Sequence, residues 1–400
     1  MIFDLPSVIK AYYSCRSGKR NCQYALEFEY DLETYLHKLS QDLMKREYEI
    51  GTSSCFAITY PTVKEIFAAS FRDRVVHHLL INCIEEGLDK RFIFDSLACR
   101  KNKGALFGIR RLKKFLYKVT KNRTRNAYYL QLDIKSFFYS MDKEILLNVL
   151  TKGIYRLNFS KKDTDDLIWL SSKIISHNPC DNYFKKSSLD LLKSLPKDKS
   201  LFTTAENKGL AIGNLTSQFF ANLYLNEIDQ YIKRVLKVKY YLRYADDMLF
   251  IEDSIGKLED IKQKVAVFLK DELKLDIKEN KTKYGSVYQG IDFVGYITRP
   301  DYILIRNRVV NNLKKKLHYF HQGYLIDRKL CMEEIVPLSD PITQREIEAI
   351  CTSINSVFGH LKWSNSYFLR QSIYTKHMGM LDLYLEPRGN LESFRPCKPS

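Results

Sequence analysis

The sequence predicts an α+β fold built around an antiparallel sheet, and two strand-like stretches support this class. The alternating run AYYLQLDIKSFF at residues 127–138 predicts one strand. The largely apolar runs at 240–244 and 248–251 flank two adjacent aspartates and predict a tight hairpin. A long helix is predicted between these stretches, at 214–236. The order of strand, helix and paired strands is typical of an α+β sheet rather than of a doubly wound α/β fold.

The other elements follow from the same kinds of pattern along the chain. Residues 24–48 have leucines at helical spacing and predict an amphipathic helix. The run CFAITYP at 55–61 predicts a short strand that ends at its proline. A glycine-containing turn leads into a strongly basic helix at 101–126, and residues 155–205 mix short helical pieces with proline and charged clusters. We expect that last stretch to be a mobile, insertion-like segment, and we expect the C-terminal quarter to be helical and basic.

The composition excludes a disordered chain and favours a polyanionic partner. The 400 residues are 45% hydrophobic, which is enough for two or three domain-sized cores. The formal charge of +17 favours binding to phosphate groups, with a generic basic surface as the alternative. The sequence has no apolar run near the roughly 20 residues of a membrane helix and no signal-peptide core, so a cytoplasmic protein is expected. Nine cysteines without a Cys-x-x-Cys pair predict reduced thiols rather than a zinc cage or a disulfide framework.

Three aspartates in these predicted strands are the candidate catalytic residues. Asp246 and Asp247 lie side by side at the hairpin connection, where repulsion and desolvation call for a compensating cation. Turns favour aspartate in any case, so this pair alone also fits a structural turn. Asp133 is the only charged residue between Ala127 and Ile134, and a lone carboxylate in such an apolar strand needs a partner. Three carboxylates from two neighbouring strands suit two Mg²⁺ ions and in-line phosphoryl transfer.

In five ordered motifs the chain resembles a bacterial reverse transcriptase. LQLDIKSFFYSMD resembles the first catalytic motif of the family, KGLAIGNLTSQFFANLYLNEID the helix that follows it, and YADD the signature hairpin. LKLDIKENKT and GIDFVGY resemble the next two motifs. The resemblance implies a right-hand polymerase fold with these parts: an N-terminal helical segment (1–54), fingers (55–126), a palm (127–154 and 206–300), the insertion-like segment (155–205), and a helical basic thumb and C-terminal region (301–400).

The resemblance also implies a metal site and a nucleotide gate. Asp133, Asp246 and Asp247 would be metal ligands, with the Ile134 carbonyl as a further ligand. The ions would be two Mg²⁺, for which Mn²⁺ could substitute. Phe138 falls where the family has an aromatic ring beneath the sugar, which leaves no room for a 2′-hydroxyl and so favours deoxynucleotides.

A second group of residues would contact the incoming nucleotide or the template. FDSLACRKNKGAL resembles the fingers motif that holds the triphosphate. Arg100 and Lys103 would be its cations, and Gly104 would allow close approach of the backbone. Three further basic residues would lie near the nucleotide or template, with a solvated surface charge as the alternative for each: Lys64, Arg72 and Lys281.

One departure from the wider family concerns the motif that begins the helix at 214–236. Many reverse transcriptases have Gln-Gly early in this motif and Ser-Pro at its end, whereas this chain has Ile212 before Gly213 and Ser217 before Gln218. That pattern resembles the enzymes of diversity-generating retroelements and of related groups that serve in antiphage defence. An aliphatic Ile212 near the incoming base pair would remove hydrogen-bonding control, which predicts lower fidelity.

The function implied by the resemblance is RNA-directed DNA polymerisation in antiphage defence. Three alternatives stay open: the mutagenic enzyme of a diversity-generating retroelement, a template-independent or protein-primed DNA polymerase, and an inactive nucleic-acid-binding scaffold. The implied partners are an RNA template, the DNA product and deoxynucleotides. A structured non-coding RNA and an accessory protein or second polymerase are further candidate partners, and no membrane is expected.

Overall fold

A computed structural model describes the chain over residues 1–59, 62–187, 191–192, 195–320 and 343–397. The chain forms two compact units. The first contains Met1–Gly104, Leu130–Phe250 and Ile255–Lys283, and the second contains Ala105–Tyr129, Ile251–Ser254 and Tyr284–Ser400. The five-part division expected from the sequence is not tested by these units and stays a prediction.

The α-helices make up a little under half of the described chain. They are α1 (Leu5–Arg16), α2 (Gln23–Glu29), α3 (Leu32–Met44), α4 (Phe71–Asp89), α5 (Ala105–Val119), α6 (Phe137–Ser140), α7 (Lys143–Ile154), α8 (Lys161–Ser176), α9 (Leu215–Gln230), α10 (Ile255–Leu273), α11 (Asn307–Tyr319), α12 (Gln344–Leu361) and α13 (Tyr367–His377). The helix predicted at 24–48 is thus two helices, α2 and α3. The leucines at helical spacing do pack inward, since Leu36, Leu39 and Leu43 are buried.

Strands form four small sheets among these helices. They are β1 (Ser53–Ile58), β2 (Lys64–Ala68), β3 (Tyr128–Leu132), β4 (Tyr183–Lys185), β5 (Tyr240–Tyr244), β6 (Asp247–Glu252), β7 (Lys283–Ser286), β8 (Ile291–Phe293), β9 (Tyr296–Thr298), β10 (Ile303–Ile305), β11 (Leu385–Arg388) and β12 (Ser393–Pro396). The largest sheet has the order β5-β6-β3-β7, so the two predicted strand stretches are neighbours in it. The predicted α+β class is therefore confirmed. Pro61, which was expected to end β1, lies outside the described residues.

The segment at 155–205 contains a helix with a buried face and a strand that pairs with β1. Helix α8 has Leu167, Leu170 and Ile175 in the core, and its Asp166 accepts hydrogen bonds from Arg46 near the N-terminus. Strand β4 extends the β2-β1 pair by running parallel to β1. Apolar burial and a sheet ladder tie these parts to the first unit, and the expectation of a mobile insertion stays a prediction. Residues 188–190 and 193–194 lie outside the described residues.

The second unit has its own apolar core. Val310, Leu313 and Leu317 form the inner stripe of α11 and pack with Ile354 and Phe358 of α12. Strands β8, β9 and β10 form an antiparallel sheet, and β11 and β12 form a hairpin that the predicted helical C-terminal region did not include. The basic helix predicted after residue 300 is therefore present as α11, but strands precede and follow it.

The structure adds two observations on the membrane and the thiols. In the described part of the chain, no helix is long and apolar enough to cross a membrane. The eight cysteines that the structure describes are all free, and Cys331 lies outside the described residues. Most of these thiols are buried or half-buried, and burial raises the pKa of Cys55 and Cys83 to about 11.

The turn between β8 and β9, in the GIDFVGY motif, contains a glycine at positive φ, and a substitution there tests whether this conformation requires glycine. Gly295 has a φ of 94°, and no heavy atom lies within 4 Å of the position that a Cβ would take. We expect Gly295→Ala to lower the free energy of unfolding by about 1–2 kcal/mol, because an L-residue is strained at positive φ. Gly359→Ala in α12 is the matched control, since its added Cβ also meets open space but at an ordinary helical φ. That variant should gain up to about 1 kcal/mol, and equal effects in urea unfolding would contradict the assignment of strain.

Candidate active site

Asp133 follows directly on β3, and a second segment of the first unit holds its backbone. The Asp133 carbonyl accepts a hydrogen bond from the Lys278 N–H at 2.8 Å. Two residues further on, the Lys135 N–H donates to the Asp276 carbonyl, also at 2.8 Å. The position of the Asp133 carboxylate therefore depends on β3 on one side and on the LKLDIKENKT motif on the other.

The strand that leads to Asp133 is shorter than the sequence predicts. It ends one residue before Asp133, and Ile134 makes only an isolated antiparallel bridge with Ile277. Ser136 then turns the chain with a φ of 45°. As a result Phe138 lies half-buried in the short helix α6 and not in a strand, so the prediction of a strand to residue 138 is wrong. The alternating sequence pattern extends to residue 138, but the backbone pairing of the strand ends at Leu132.

The other two aspartates lie at the β5–β6 hairpin. Ala245 and Asp246 form its two-residue turn, and Asp247 is already the first residue of β6. The prediction that both aspartates lie in the connection is therefore wrong for Asp247. Two-residue turns match the twist of the strands they join, and they require positive φ, which Ala245 has at 53°. Asp246 is half-buried and Asp247 is exposed.

Lys281 links the three carboxylates electrostatically. Its Nζ lies 2.5 Å from Asp133 Oδ2. Burial lowers the pKa of Lys281, but the hydrogen bond and charge of Asp133, together with the charges of Asp247 and Asp246, outweigh burial and raise it. Lys281 was expected near a triphosphate. In this structure its ammonium is paired with a carboxylate of the candidate triad.

The pKa of Asp246 shows that burial and a neighbouring negative charge disfavour its ionised form. Its pKa is raised, first because burial disfavours the ionised carboxylate and second because Asp133 is negative. Lys281 and Lys64 act in the opposite direction. Carboxylates that share one site repel each other unless a cation compensates them, and a raised pKa of this origin is typical of functional sites.

The chemistry of this donor set fits a hard divalent cation. Carboxylate and carbonyl oxygens are the ligands that Mg²⁺ and Mn²⁺ prefer. Across the described ranges, however, no group of three or more His, Cys, Asp or Glu side chains is arranged to hold a metal ion. Asp133 is paired with Lys281 instead, so the ammonium supplies the positive charge at this point.

A buried ion pair beneath the hairpin was missed by sequence reasoning. Arg243 of β5 and Asp229 of α9 both have fully buried side chains, and Arg243 Nη2 lies 2.7 Å from Asp229 Oδ2. The Tyr241 hydroxyl donates to the same carboxylate at 2.7 Å. Burial alone would lower the pKa of Arg243, but the Asp229 carboxylate outweighs it and raises the pKa. The available signal was an arginine in the apolar run YYLRY with an aspartate on the inner face of the preceding helix.

The remaining donors of Arg243 reach the turn and two other elements. Nη1 donates to the Ala245 carbonyl at 3.0 Å and to Asn222 Oδ1 at 3.1 Å. Nη2 donates to Ser96 Oγ at 3.0 Å. One guanidinium therefore ties the turn that carries Asp246 to α9 and to the loop after α4.

The residues expected near the base pair form a turn against β2. The Ile212 carbonyl accepts the Phe67 N–H at 3.0 Å. Gly213 has a φ of 123°, and a Cβ there would lie 2.8 Å from Ile66 Cγ2, so the turn requires glycine. Ile212 is half-buried, and Gln218 is exposed on the first turns of α9. Gly213 therefore has a structural reason of its own, and the expected nucleotide contacts of Ile212, Gly213 and Gln218 stay predictions.

Arg100 is a structural arginine rather than a triphosphate ligand. All five of its N–H donors are used within the chain: Nε and Nη2 bind Asp89, and Nη1 donates to the Ile93 and Ser96 carbonyls. Its side chain is only 8% exposed. The expectation that it binds the triphosphate is therefore corrected, because no donor is left for a phosphate oxygen.

The other predicted nucleotide contacts divide into two groups. Arg72 is held by Asp42 at 3.1 Å and by the Glu49 carbonyl at 2.9 Å, and its expected nucleotide contact stays a prediction. Lys64 is exposed at the start of β2. Lys103 lies over the Phe94 ring, 3.5 Å from its centroid. The space beside Gly104 is open, since no heavy atom lies within 4 Å of a Cβ built there.

Comparisons with known proteins agree with the resemblance seen in the motifs. A family model described as reverse transcriptase (RNA-dependent DNA polymerase) matches residues 65–298. Protein YkfC of Escherichia coli (strain K12) is 23% identical over 259 residues, which cover 57% of this chain and 61% of YkfC. The chain thus spans less than two thirds of the length of this relative.

Solved structures of telomerase are also similar to the chain. Apo telomerase from Candida tropicalis, truncated from its C-terminal domain, is 13% identical with a TM-score of 0.46, over 64% of this chain and 55% of that one. Telomerase from Candida albicans in complex with a TWJ fragment of telomeric RNA is 12% identical with a TM-score of 0.40, over 88% and 64% of the two chains.

The buried pair of Arg243 and Asp229 leads to a prediction about stability. We expect Arg243→Met to lower the free energy of unfolding by about 3–5 kcal/mol, because the Asp229 carboxylate would stay buried without its cation. Adding Asp229→Leu should restore a large part of that loss. Urea unfolding followed by circular dichroism measures both effects.

Lys264 provides the matched control for this prediction. It forms an ion pair with Asp260 on α10, and both side chains are at least half exposed. Lys264→Met should change the free energy of unfolding by less than about 1 kcal/mol, because water screens such a pair. Equal losses of unfolding free energy for Arg243→Met and Lys264→Met would show that the buried ion pair contributes no more to stability than the exposed one.

Proposed function

Because the chain belongs to the reverse transcriptase (RNA-dependent DNA polymerase) family, we propose that it is an RNA-directed DNA polymerase that extends a primer with deoxynucleotides. The observation that carries the proposal is the grouping of Asp133, Asp246 and Asp247 around the Lys281 ammonium. Family membership also confirms the α+β right-hand polymerase fold expected from the motifs. The proposed partners are an RNA template, the DNA product and deoxynucleotides, and the proposed location is the cytoplasm.

In this proposal the three aspartates hold two Mg²⁺ ions, with the Ile134 carbonyl as a further ligand and Mn²⁺ as a substitute. The support is an oxygen-only donor set in which like charges raise the pKa of Asp246. When bound, the ions would activate a primer hydroxyl and neutralise charge on the triphosphate. Lys281, which donates to Asp133 in this structure, would bind a phosphate oxygen of the incoming triphosphate.

Other residues of the chain would bind and orient the reactants. The Arg243 guanidinium would keep the turn of Asp246 rigid, since it contacts the Ala245 carbonyl. For the triphosphate we propose Lys64 and Lys103, and Lys103 Nζ also donates to the Phe94 carbonyl at 3.0 Å. Phe138 would lie beneath the sugar and exclude a 2′-hydroxyl.

For the biological role we propose antiphage defence, with mutagenic retrohoming as the second candidate. The support is the IGNLTSQ sequence at 212–218, which resembles both groups. A structured non-coding RNA and an accessory protein or second polymerase are the proposed further partners. Sequencing the nucleic acid that co-purifies with the protein would separate the roles: a target-gene repeat supports retrohoming, and a dedicated non-coding RNA supports defence. Product made without any RNA would instead favour template-independent or protein-primed synthesis.

The catalytic assignment is tested by conservative changes in the triad. We expect Asp246→Asn to lower the rate of primer extension on RNA at least about a thousandfold, because losing a metal ligand costs several kcal/mol of transition-state stabilisation. Asp271→Asn, an exposed aspartate at the end of α10, is the matched control and should keep full activity. Binding of the primer–template should persist in both variants, which separates loss of chemistry from loss of folding. Full activity in Asp246→Asn would remove the assignment, and an inactive wild type with its own RNA would favour a nucleic-acid-binding scaffold.

Ile212 occupies the position where many reverse transcriptases have Gln, and this difference predicts lower fidelity. We expect Ile212→Gln to lower the misincorporation rate by about tenfold, because a polar side chain restores about one hydrogen bond of discrimination near the base pair. Deep sequencing of extension products measures the rate. Ile212→Leu is the control and should leave it unchanged, since it keeps an aliphatic side chain. An unchanged error rate in Ile212→Gln would contradict the predicted low fidelity.

A further inference from the structure

A cavity of about 690 Å³ lies in the first unit, away from the residues of the candidate active site. The end of α4 with the residues that follow it, the second half of α7 and the second half of α9 line most of it. Part of its wall is apolar and includes Leu88, Val149 and Leu223. Its volume falls within the range of roughly 300–1,000 Å³ that is typical of small-molecule sites.

The rest of the wall is strongly basic. Four exposed cations belong to it: Arg91, Lys152, Arg156 and Arg234. Within the described ranges, none of these four side chains makes a hydrogen bond or an ion pair. Lys90, a fifth cation on the wall, is bound to Glu86 at 2.9 Å. The cavity therefore concentrates positive charge whose donors are available to a ligand.

Only one acidic residue, Glu227, lies among the residues that line the cavity. Burial raises the pKa of Glu227, and the charges of Lys152, Arg156 and Arg91 act against that rise. The same three cations are thus close enough to act on one carboxylate. A single glutamate cannot neutralise all of them, and cations crowded on a concave surface attract an anion.

We propose that this cavity is a second ligand site of the protein, which binds the phosphate groups of a nucleotide or of an RNA backbone. Arginine side chains bind phosphate oxygens in pairs, and Lys152 would add a compact charge beside them. The apolar wall would cover the sugar or the base. The site does not depend on polymerase activity, since none of its residues belongs to the aspartate triad.

The cavity lies against α9, so a ligand in it would contact a helix that also supports the hairpin. Asn222 and Asp229 lie on the face of α9 that binds Arg243. Leu223 and Glu227 lie roughly 100–140° further around the helix, at 3.6 residues per turn, and face the cavity. A bound phosphate would therefore contact the same helix that supports the turn of Asp246.

The test is amine footprinting of the intact wild-type protein by acetylation and mass spectrometry. At a ligand concentration about ten times the Kd, we expect Lys152 to become about tenfold less reactive. Lys161 and Lys270 are exposed helical lysines outside the cavity and should keep their reactivity. Equal protection of all three lysines would mean non-specific binding and would overturn the proposal.

Four probes distinguish the ligand chemistry. Inorganic phosphate and ATP are expected to protect Lys152, whereas adenosine, which lacks phosphate, is not. Protection by an RNA of about 12 nucleotides but not by ATP would support the site with an RNA backbone as its source. Protection by adenosine equal to that by ATP, or no protection of Lys152 by any probe, would overturn the proposal.

A pair of double variants gives an independent readout. Arg91→Gln with Arg156→Gln should weaken the binding of the protecting probe at least about tenfold, because two charge-assisted contacts are lost. Lys161→Gln with Lys270→Gln removes the same net charge from outside the cavity and should leave the Kd unchanged. Equal Kd values for the two double variants would overturn the proposal. Both pairs are exposed, so the variants should fold as the wild type does.

Discussion

The buried ion pair between Arg243 and Asp229 is the interaction on which the candidate active site depends. Neither side chain is exposed, so the pair is tolerable only because each group is paired and hydrogen-bonded. Asp229 occupies three donors, two on Arg243 and one on Tyr241, and the remaining guanidinium donors reach Ala245, Asn222 and Ser96. These hydrogen bonds connect the turn of the hairpin to α9 and to the loop after α4. Because Asp246 lies in that turn, the same hydrogen bonds hold its position.

The same constraint explains how the positive charges of the chain divide between structure and chemistry. Arg72, Arg100 and Arg243 have partners within the first unit, and their planar forks are used to hold loops and helix ends. Lys281 is close to the aspartates and is half exposed, so it can exchange one oxygen partner for another at little cost. A guanidinium with five satisfied donors cannot do that. Near the candidate active site, Arg100 and Arg243 therefore hold the framework, and Lys281 can change its partner.

How much was predictable differs between the fold and the site. The hairpin, the central helix and the amphipathic N-terminal region follow from apolar periodicity, which is a local property of the chain. The end of β3 does not follow from apolar periodicity. Lys135 and Asp133 form backbone hydrogen bonds with Asp276 and Lys278, which belong to a segment distant in sequence. For the same reason Phe138 was expected in a strand and is found in α6. Alternation indicates which face a residue would occupy but not where pairing stops.

By itself, the sequence determined the α+β class, membership in the reverse transcriptase family and the identity of the candidate residues, since these depend on short motifs and their order. Only the tertiary structure decided which charged residues are available for chemistry. The physical reason is that a hydrogen-bond partner is chosen in space. Arg243 and Ser96 are 147 residues apart in the chain, and Lys281 and Asp133 are 148 apart. No local pattern encodes such a contact, so a structural and a reactive cation can have the same appearance in sequence.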